Sequence, residues 1–159
     1  MRIRLLAVGQ RPPGWVAEGY RDFARRLPPE CSLELVEIPI ARRSKGADVA
    51  RLMEAEGERL LAAVPSGAVV VALDVSGERW DTEQLAARLH RWMHDGRDIA
   101  LMIGGPDGLS RACRQRADVT WSLSPLTLPH ALVRIVVAEQ IYRAWTILRG
   151  HPYHRGGQT

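Results

Sequence analysis

A chain of 159 residues has the length of one domain, because dividing it in two would leave each half too small for a substantial core. At 46% hydrophobic and 25% charged it lacks the composition of a disordered segment, and its longest apolar run, Ala68 to Leu73, is far short of the roughly 20 residues that span a bilayer. The net charge of +4 is uneven: residues 111–159 carry seven Arg against Asp118 and Glu139, so the basic excess sits in the last third together with His130, His151 and His154.

That third is a candidate phosphate-facing surface. The Arg bias itself is weak support for nucleic acid, since Lys45 is the one lysine among 22 basic residues and genome base content is enough to produce such a bias. Arg2 and Arg4 precede an apolar segment that stops at Gly9, too short for a secretory core, so a cytoplasmic location without membrane attachment is expected. Cys31 and Cys113 have no CxxC partners and are expected as buried hydrophobes.

Strand and helix signals alternate along the chain. Ile3 to Val8 reads as a strand, and Pro13 opens a helix on which Trp15, Val16, Tyr20, Phe23, Ala24 and Leu27 recur at helical spacing. Leu33 to Ile38 is a strand, followed by the basic loop Arg42-Arg43-Ser44-Lys45-Gly46. A second helix begins at Asp48 and reaches about Ala63. Ala68 to Leu73 is a strand of the kind buried on both faces in a parallel sheet. Asp81 and Thr82 cap a third helix with the stripe Leu85, Leu89, Trp92 and Met93. Ile99 to Ile103 is a fourth strand, Ser110 to Arg116 a short helix, Val119 to Leu123 a fifth strand and His130 to Leu148 a long final helix. The fold class is therefore α/β, a Rossmann-like, mostly parallel sheet flanked by helices in a single domain over 1–159. The final helix is apolar on two sides, with Leu132, Val136 and Ile147 lying off the stripe of Val133, Val137, Ile141, Ala144, Trp145 and Leu148. Two apolar sides call for a second surface, which a twofold contact with another copy supplies.

Several chemistries drop out on motif grounds. No G-x-x-x-x-G-K, G-x-S-x-G or H-E-x-x-H occurs, and His90 with His94 suggests no third metal ligand, so no metal is expected. Gly104-Gly105-Pro106-Asp107-Gly108 follows a buried strand, where open α/β sheets bind ligands, although the same residues also make a plain tight turn. Leu123-Ser124-Pro125-Leu126-Thr127-Leu128-Pro129 is apolar and framed by prolines, which suits either a slot for a flat ring or a buried crossover. The segment His151-Pro152-Tyr153-His154-Arg155 brings a stacking ring, two imidazoles and a guanidinium together after the helix stop at Gly150.

Taken as an ordered set, Leu73-Asp74, Ile103 to Leu109, Thr127-Leu128-Pro129-His130, Arg134, Glu139 to Ala144 and His151 to Arg155 closely resemble the ribosomal RNA large subunit methyltransferase H family of the SPOUT (α/β-knot) superfamily. The resemblance runs almost end to end, with Gly156 to Thr159 extending past the family's usual stop. It implies a homodimer with a C-terminal trefoil knot that binds S-adenosylmethionine through Leu73, Gly104, Gly105 and the loop of Leu123, Ser124, Pro125, Leu126, Thr127 and Leu128. It further implies methylation of N3 of a pseudouridine in a stem-loop, helix 69, of 23S ribosomal RNA in the assembled ribosome. Tyr153, His154, Arg155 and Arg143 are then the candidate catalytic residues, acting on the base and its imide proton. The alternative is a non-catalytic, ribosome-associated RNA-binding factor with the same fold.

Overall fold

The computed structural model describes residues 1–9 and 11–155, so the expectation about the last four residues lies outside the described residues. Its elements are β1 (Arg2–Val8), α1 (Gly14–Ala24), β2 (Ser32–Ile38), α2 (Val49–Ala62), β3 (Val69–Arg79), α3 (Thr82–Asp95), β4 (Ile99–Ile103), α4 (Arg111–Arg116), β5 (Val119–Ser122) and α5 (His130–Leu148). Two single 3₁₀ turns, Pro29–Cys31 and Pro152–His154, complete it. The strands form one sheet in the order β2-β1-β4-β3-β5, and every neighbouring pair is parallel. Parallel neighbours require crossovers, and helices supply them. Because both faces are covered, all of Ile99 to Ile103 is buried, as are Leu5 to Val8 and Val70 to Ala72.

The two faces have separate cores. Tyr20 of α1, Leu85, Leu89 and Trp92 of α3, and Val137 and Ile141 of α5 pack with Ile3, Leu5 and Leu101 on one side. Leu60 of α2 and Cys113 of α4 pack with Leu6, Val70 and Met102 on the other. Both cysteines are fully buried, and burial pushes the Cys31 thiol up to about 11. Asp81 accepts from the Gln84 N–H at 2.7 Å while Gln84 Oε1 accepts from the Asp81 N–H at 2.8 Å, a complete capping box that starts α3. Replacing Asp81 by Ala is expected to cost about 1 kcal/mol in denaturant unfolding, with the fold unchanged.

Three local expectations are corrected. Trp15, assigned to the buried stripe of α1, is 57% exposed, because it sits one residue into the helix and before the stripe meets α5. Ile147 packs against the core that holds α1 and α3, so the flanking helices cover part of the second apolar side of α5 within this chain. Gly19 makes that approach possible, since a Cβ there would stand 3.0 Å from Ile135 Cδ1. No residue from His130 to Leu148 is exposed; Leu132 and Val136 are half-buried and belong to neither core. Finally, β3 does not end at Leu73. Pairing with β5 shifts register between Leu73 and Glu78 and continues to Arg79. Asp74 folds the intervening residues outward by accepting from the Ser76 N–H at 2.9 Å and its hydroxyl at 2.8 Å. Gly77 lies so close to β5 that a Cβ would fall 2.7 Å from the Thr120 carbonyl carbon.

Candidate functional site

The C-terminal ends of β4 and β5, with β3 where its register shifts after Leu73, open into a cleft of about 480 Å³, within the range of small-molecule sites. Its walls come from the three segments singled out by sequence. Leu73, Gly104, Gly105, Leu123, Ser124, Leu126, Thr127 and Leu128 all line it, whereas Pro125 is exposed and does not. The outward fold of β3 adds Asp74 and Val75 to the wall. Hydrogen bonds from Ser76, the backbone one first, hold the Asp74 carboxyl below its ordinary value and keep it ionised at the rim.

The glycine loop owes its shape to missing side chains. Gly108 donates its N–H to the Gly105 carbonyl at 3.0 Å and has φ +89. The loop thereby folds back onto Gly104, where a Cβ would lie 2.4 Å from the Gly108 carbonyl carbon. Bare backbone is consequently presented to the cleft. The facing loop is braced by Ser124, whose Oγ accepts from the Leu126 N–H at 2.9 Å while Ser122 donates to its carbonyl at 3.1 Å.

α5 starts at the same cleft, with His130 and Val133 in the lining and no side-chain cap on its first turn. Its free N–H groups and positive dipole end therefore lie at the cleft margin. Burial, then the neighbouring Arg134 guanidinium, lowers the His130 pKa below the ordinary histidine value, so the ring is neutral at pH 7. His130 Nδ1 is buried with no hydrogen-bond partner among the described residues. Arg134, 2% exposed, donates to Glu37 Oε1 at 3.1 Å and to the Gly9 carbonyl at 3.0 Å, tying α5 to the ends of β1 and β2.

The tail residues are brought together, but elsewhere. Tyr153 is buried against Tyr142, with ring centroids 4.7 Å apart, and donates its hydroxyl to Glu139 Oε1 at 3.1 Å. Burial and then the Glu139 carboxylate raise its pKa. Arg143 lies 5.0 Å over the same ring and donates its Nε–H to Glu139 Oε1 at 2.8 Å, so its charge is already paired. His154 is half-buried and Arg155 exposed. Glu139 stands nine residues along α5 from His130, about 14 Å at 1.5 Å per residue. The cleft and the tail cluster of one chain are thus separated along α5.

Sequence reasoning missed Asp74, Val75 and Trp121 as cleft residues. Trp121 alternates as a core strand residue, stacked on Trp80 at 5.1 Å, and nothing in its spacing marks the edge it shows to the cleft. The described residues contain no group of three or more His, Cys, Asp or Glu placed to hold a metal, and no helix long and apolar enough to cross a membrane.

Comparison with known proteins gives this geometry its setting. Residues 1–154 match the family model described as "Predicted SPOUT methyltransferase". The ribosomal RNA large subunit methyltransferase H of Thioalkalivibrio sulfidiphilus is 60% identical over 155 residues, covering 98% of this chain and 99% of that protein. Its counterpart in Alkalilimnicola ehrlichii is 61% identical over 155 residues, with coverage of 98% and 99%. Among solved structures, a probable methyltransferase from Bordetella pertussis Tohama I is 18% identical with TM-score 0.59, covering 90% of this chain and 95% of that one. A candidate methyltransferase from Legionella pneumophila, solved with bound SAM, is 12% identical with TM-score 0.50, covering 91% of this chain and 66% of that one. Full-length identity at this level leaves one conclusion: the chain belongs to the SPOUT methyltransferase family, a family whose fold includes a trefoil knot, beside relatives named ribosomal RNA large subunit methyltransferase H.

Proposed function

We propose that this protein transfers the methyl group of S-adenosylmethionine to N3 of a pseudouridine in helix 69 of 23S ribosomal RNA, acting in the cytoplasm as a homodimer on the assembled ribosome. The observation that carries the reading is the cleft at the strand ends, walled by Gly104-Gly105 and by Leu123 to Leu128. The relatives' shared name supports an RNA of the large ribosomal subunit, and the SAM complex of the Legionella protein supports the donor. The residues present fit that donor. Apolar walls at Leu73, Ile103 and Leu128 suit its flat ring, bare backbone at Gly104 and Gly105 allows close approach, and Asp74 offers a charged acceptor.

When bound, S-adenosylmethionine supplies a methyl activated by its sulfonium, so the protein's task is alignment and removal of the imide proton from the base. Arg155 is exposed and placed against the base carbonyls would favour the imide anion, while His154 would accept the proton. Arg143 and Tyr153, held to Glu139, would form the platform from which the tail projects. The separation of the tail cluster from the cleft of one chain along α5 supports an arrangement in which the partner protomer would supply the tail at each cleft. Leu132 and Val136, half-buried and outside both cores, belong on the surface between protomers. Arg111 and Arg114 on α4 are exposed and suited to backbone phosphates, whereas Arg116 lies 3.5 Å from Asp118.

Isothermal titration with S-adenosylmethionine, followed by mass spectrometry of ribosomal RNA from a strain lacking the protein, tests the proposal. Heat on titration and a missing methyl on one pseudouridine are expected. An absence of heat would favour the non-catalytic binding factor, and an intact modification pattern would exclude the substrate. Arg155→Ala should slow transfer roughly a hundredfold while leaving donor binding unchanged. Parallel loss of both would remove Arg155 from the reacting end.

A further inference from the structure

A second cluster of charge lies behind the glycine loop, away from the cleft lining. Glu56 of α2 is 2% exposed, and a buried carboxylate requires partners. It has them: Oε2 accepts from Arg43 Nη1 at 2.8 Å and from the Ala41 N–H at 3.0 Å, and Oε1 accepts from Arg43 Nη2 at 3.3 Å. The same Nη2 donates to Asp107 Oδ2 at 2.7 Å. Asp107 sits at the tip of the glycine loop, between Gly105 and the positive-φ Gly108. Gly105 rests directly on Glu56, where a Cβ would meet Oε1 at 3.0 Å. One planar guanidinium therefore fastens three pieces of chain, namely the loop after β2, helix α2 and the tip of the glycine loop.

The glycine loop needs such an anchor. With glycine at 104, 105 and 108 its backbone has many accessible conformations despite Pro106, and freezing it is costly. The pairings that do so come from a loop and a helix that contribute nothing to the cleft wall. We infer that Arg43 is a positioning residue for the methyl-donor site: through Asp107 it holds the glycine loop in its ligand-ready shape, with Glu56 as the buried counter-charge. The inference rests on the donor-binding reading above. Arg43 touches no reacting atom, so its contribution is to donor affinity and not to the chemical step.

The test uses the purified full-length protein and S-adenosylmethionine itself. Titration calorimetry gives Kd for wild type, Arg43→Gln, Asp107→Asn and the double variant, and ribosome methylation gives KM for the donor and kcat. Each single variant is expected to weaken Kd about tenfold, and the double variant no further than about twofold beyond either, because both remove one coupled contact. KM should rise in step while kcat at saturating donor stays within about twofold of wild type. Arg43→Lys should fall between, since one ammonium cannot bridge two carboxylates in the fork geometry of Arg. Asp107→Asn keeps the test open should loss of Arg43 impair folding, because Asp107 lies at the surface. Wild-type affinity in folded Asp107→Asn, losses that simply multiply in the double variant, or a fall in kcat at unchanged KM would each overturn the inference. Failure of the wild type to bind the donor would instead overturn the donor-site reading on which it stands.

Discussion

Gly104→Ala is expected to abolish donor binding, with Kd weakened at least about a hundredfold, while Gly108→Ala weakens it far less. The two glycines differ physically. A Cβ at Gly104 would stand 2.4 Å from the Gly108 carbonyl carbon, 2.6 Å from its oxygen and 2.7 Å from the Leu109 nitrogen. All three are backbone atoms and cannot swing aside, so the loop itself must move, and with it the wall of the cleft. At Gly108 nothing lies within 4 Å of a Cβ, and the cost is the conformational one of placing alanine at φ +89, about 1 kcal/mol. Titration calorimetry on both variants, with circular dichroism to confirm the fold, measures the difference. Equal affinities in the two would show that the glycine loop does not form the donor site.

These positions also mark what a sequence can disclose. Gly104 to Gly108 after an apolar strand, Asp81 with Thr82 at a helix start, and the uninterrupted run Ala68 to Leu73 are local patterns, and a loop, a helix start and a buried strand stand at those positions. The extension of β3 was illegible because Asp74 to Gly77 reads as a turn. Only the nearness of Thr120 on β5, more than 40 positions away, explains why the strand resumes. Strand order is likewise non-local, since the pairing of β1 with β4 joins residues almost a hundred positions apart and leaves no periodic trace. Tyr153 shows the opposite difficulty. An aromatic ring in a short tail suggests a base-stacking group, and nothing in the sequence signals that its hydroxyl is donated to Glu139 or that its ring meets Tyr142 in an edge contact with Arg143 above it. The burial of Glu56 is apparent only in three dimensions, where the Arg43 guanidinium bridges it to Asp107.

Arg134→Ala is expected to be the most destabilising single substitution at the margin of the cleft, costing about 3–5 kcal/mol in urea unfolding. The side chain is almost wholly buried and ties together Gly9 after β1, Glu37 on β2 and the first turns of α5. Truncation leaves the Gly9 carbonyl and the Glu37 carboxylate without this donor and opens a cavity the length of an arginine. Arg134→Met with Glu37→Gln should lose markedly less, because the shape is largely refilled and no charge is left unpaired. The pH dependence separates the ionic contribution from packing. His130 has its pKa lowered in the folded state, first by burial and then by Arg134, so the unfolded chain binds a proton more readily. Stability is therefore fully present above the ordinary histidine value near 6.5 and declines as pH falls below it. Removing the neighbouring cation relieves part of that effect, so the double variant should lose less stability than wild type between about pH 8 and 5.5. An unchanged pH slope would mean that burial alone governs His130. A loss below about 1 kcal/mol in Arg134→Ala would mean that α5 is held to the sheet ends by its apolar contacts, without the ionic tie.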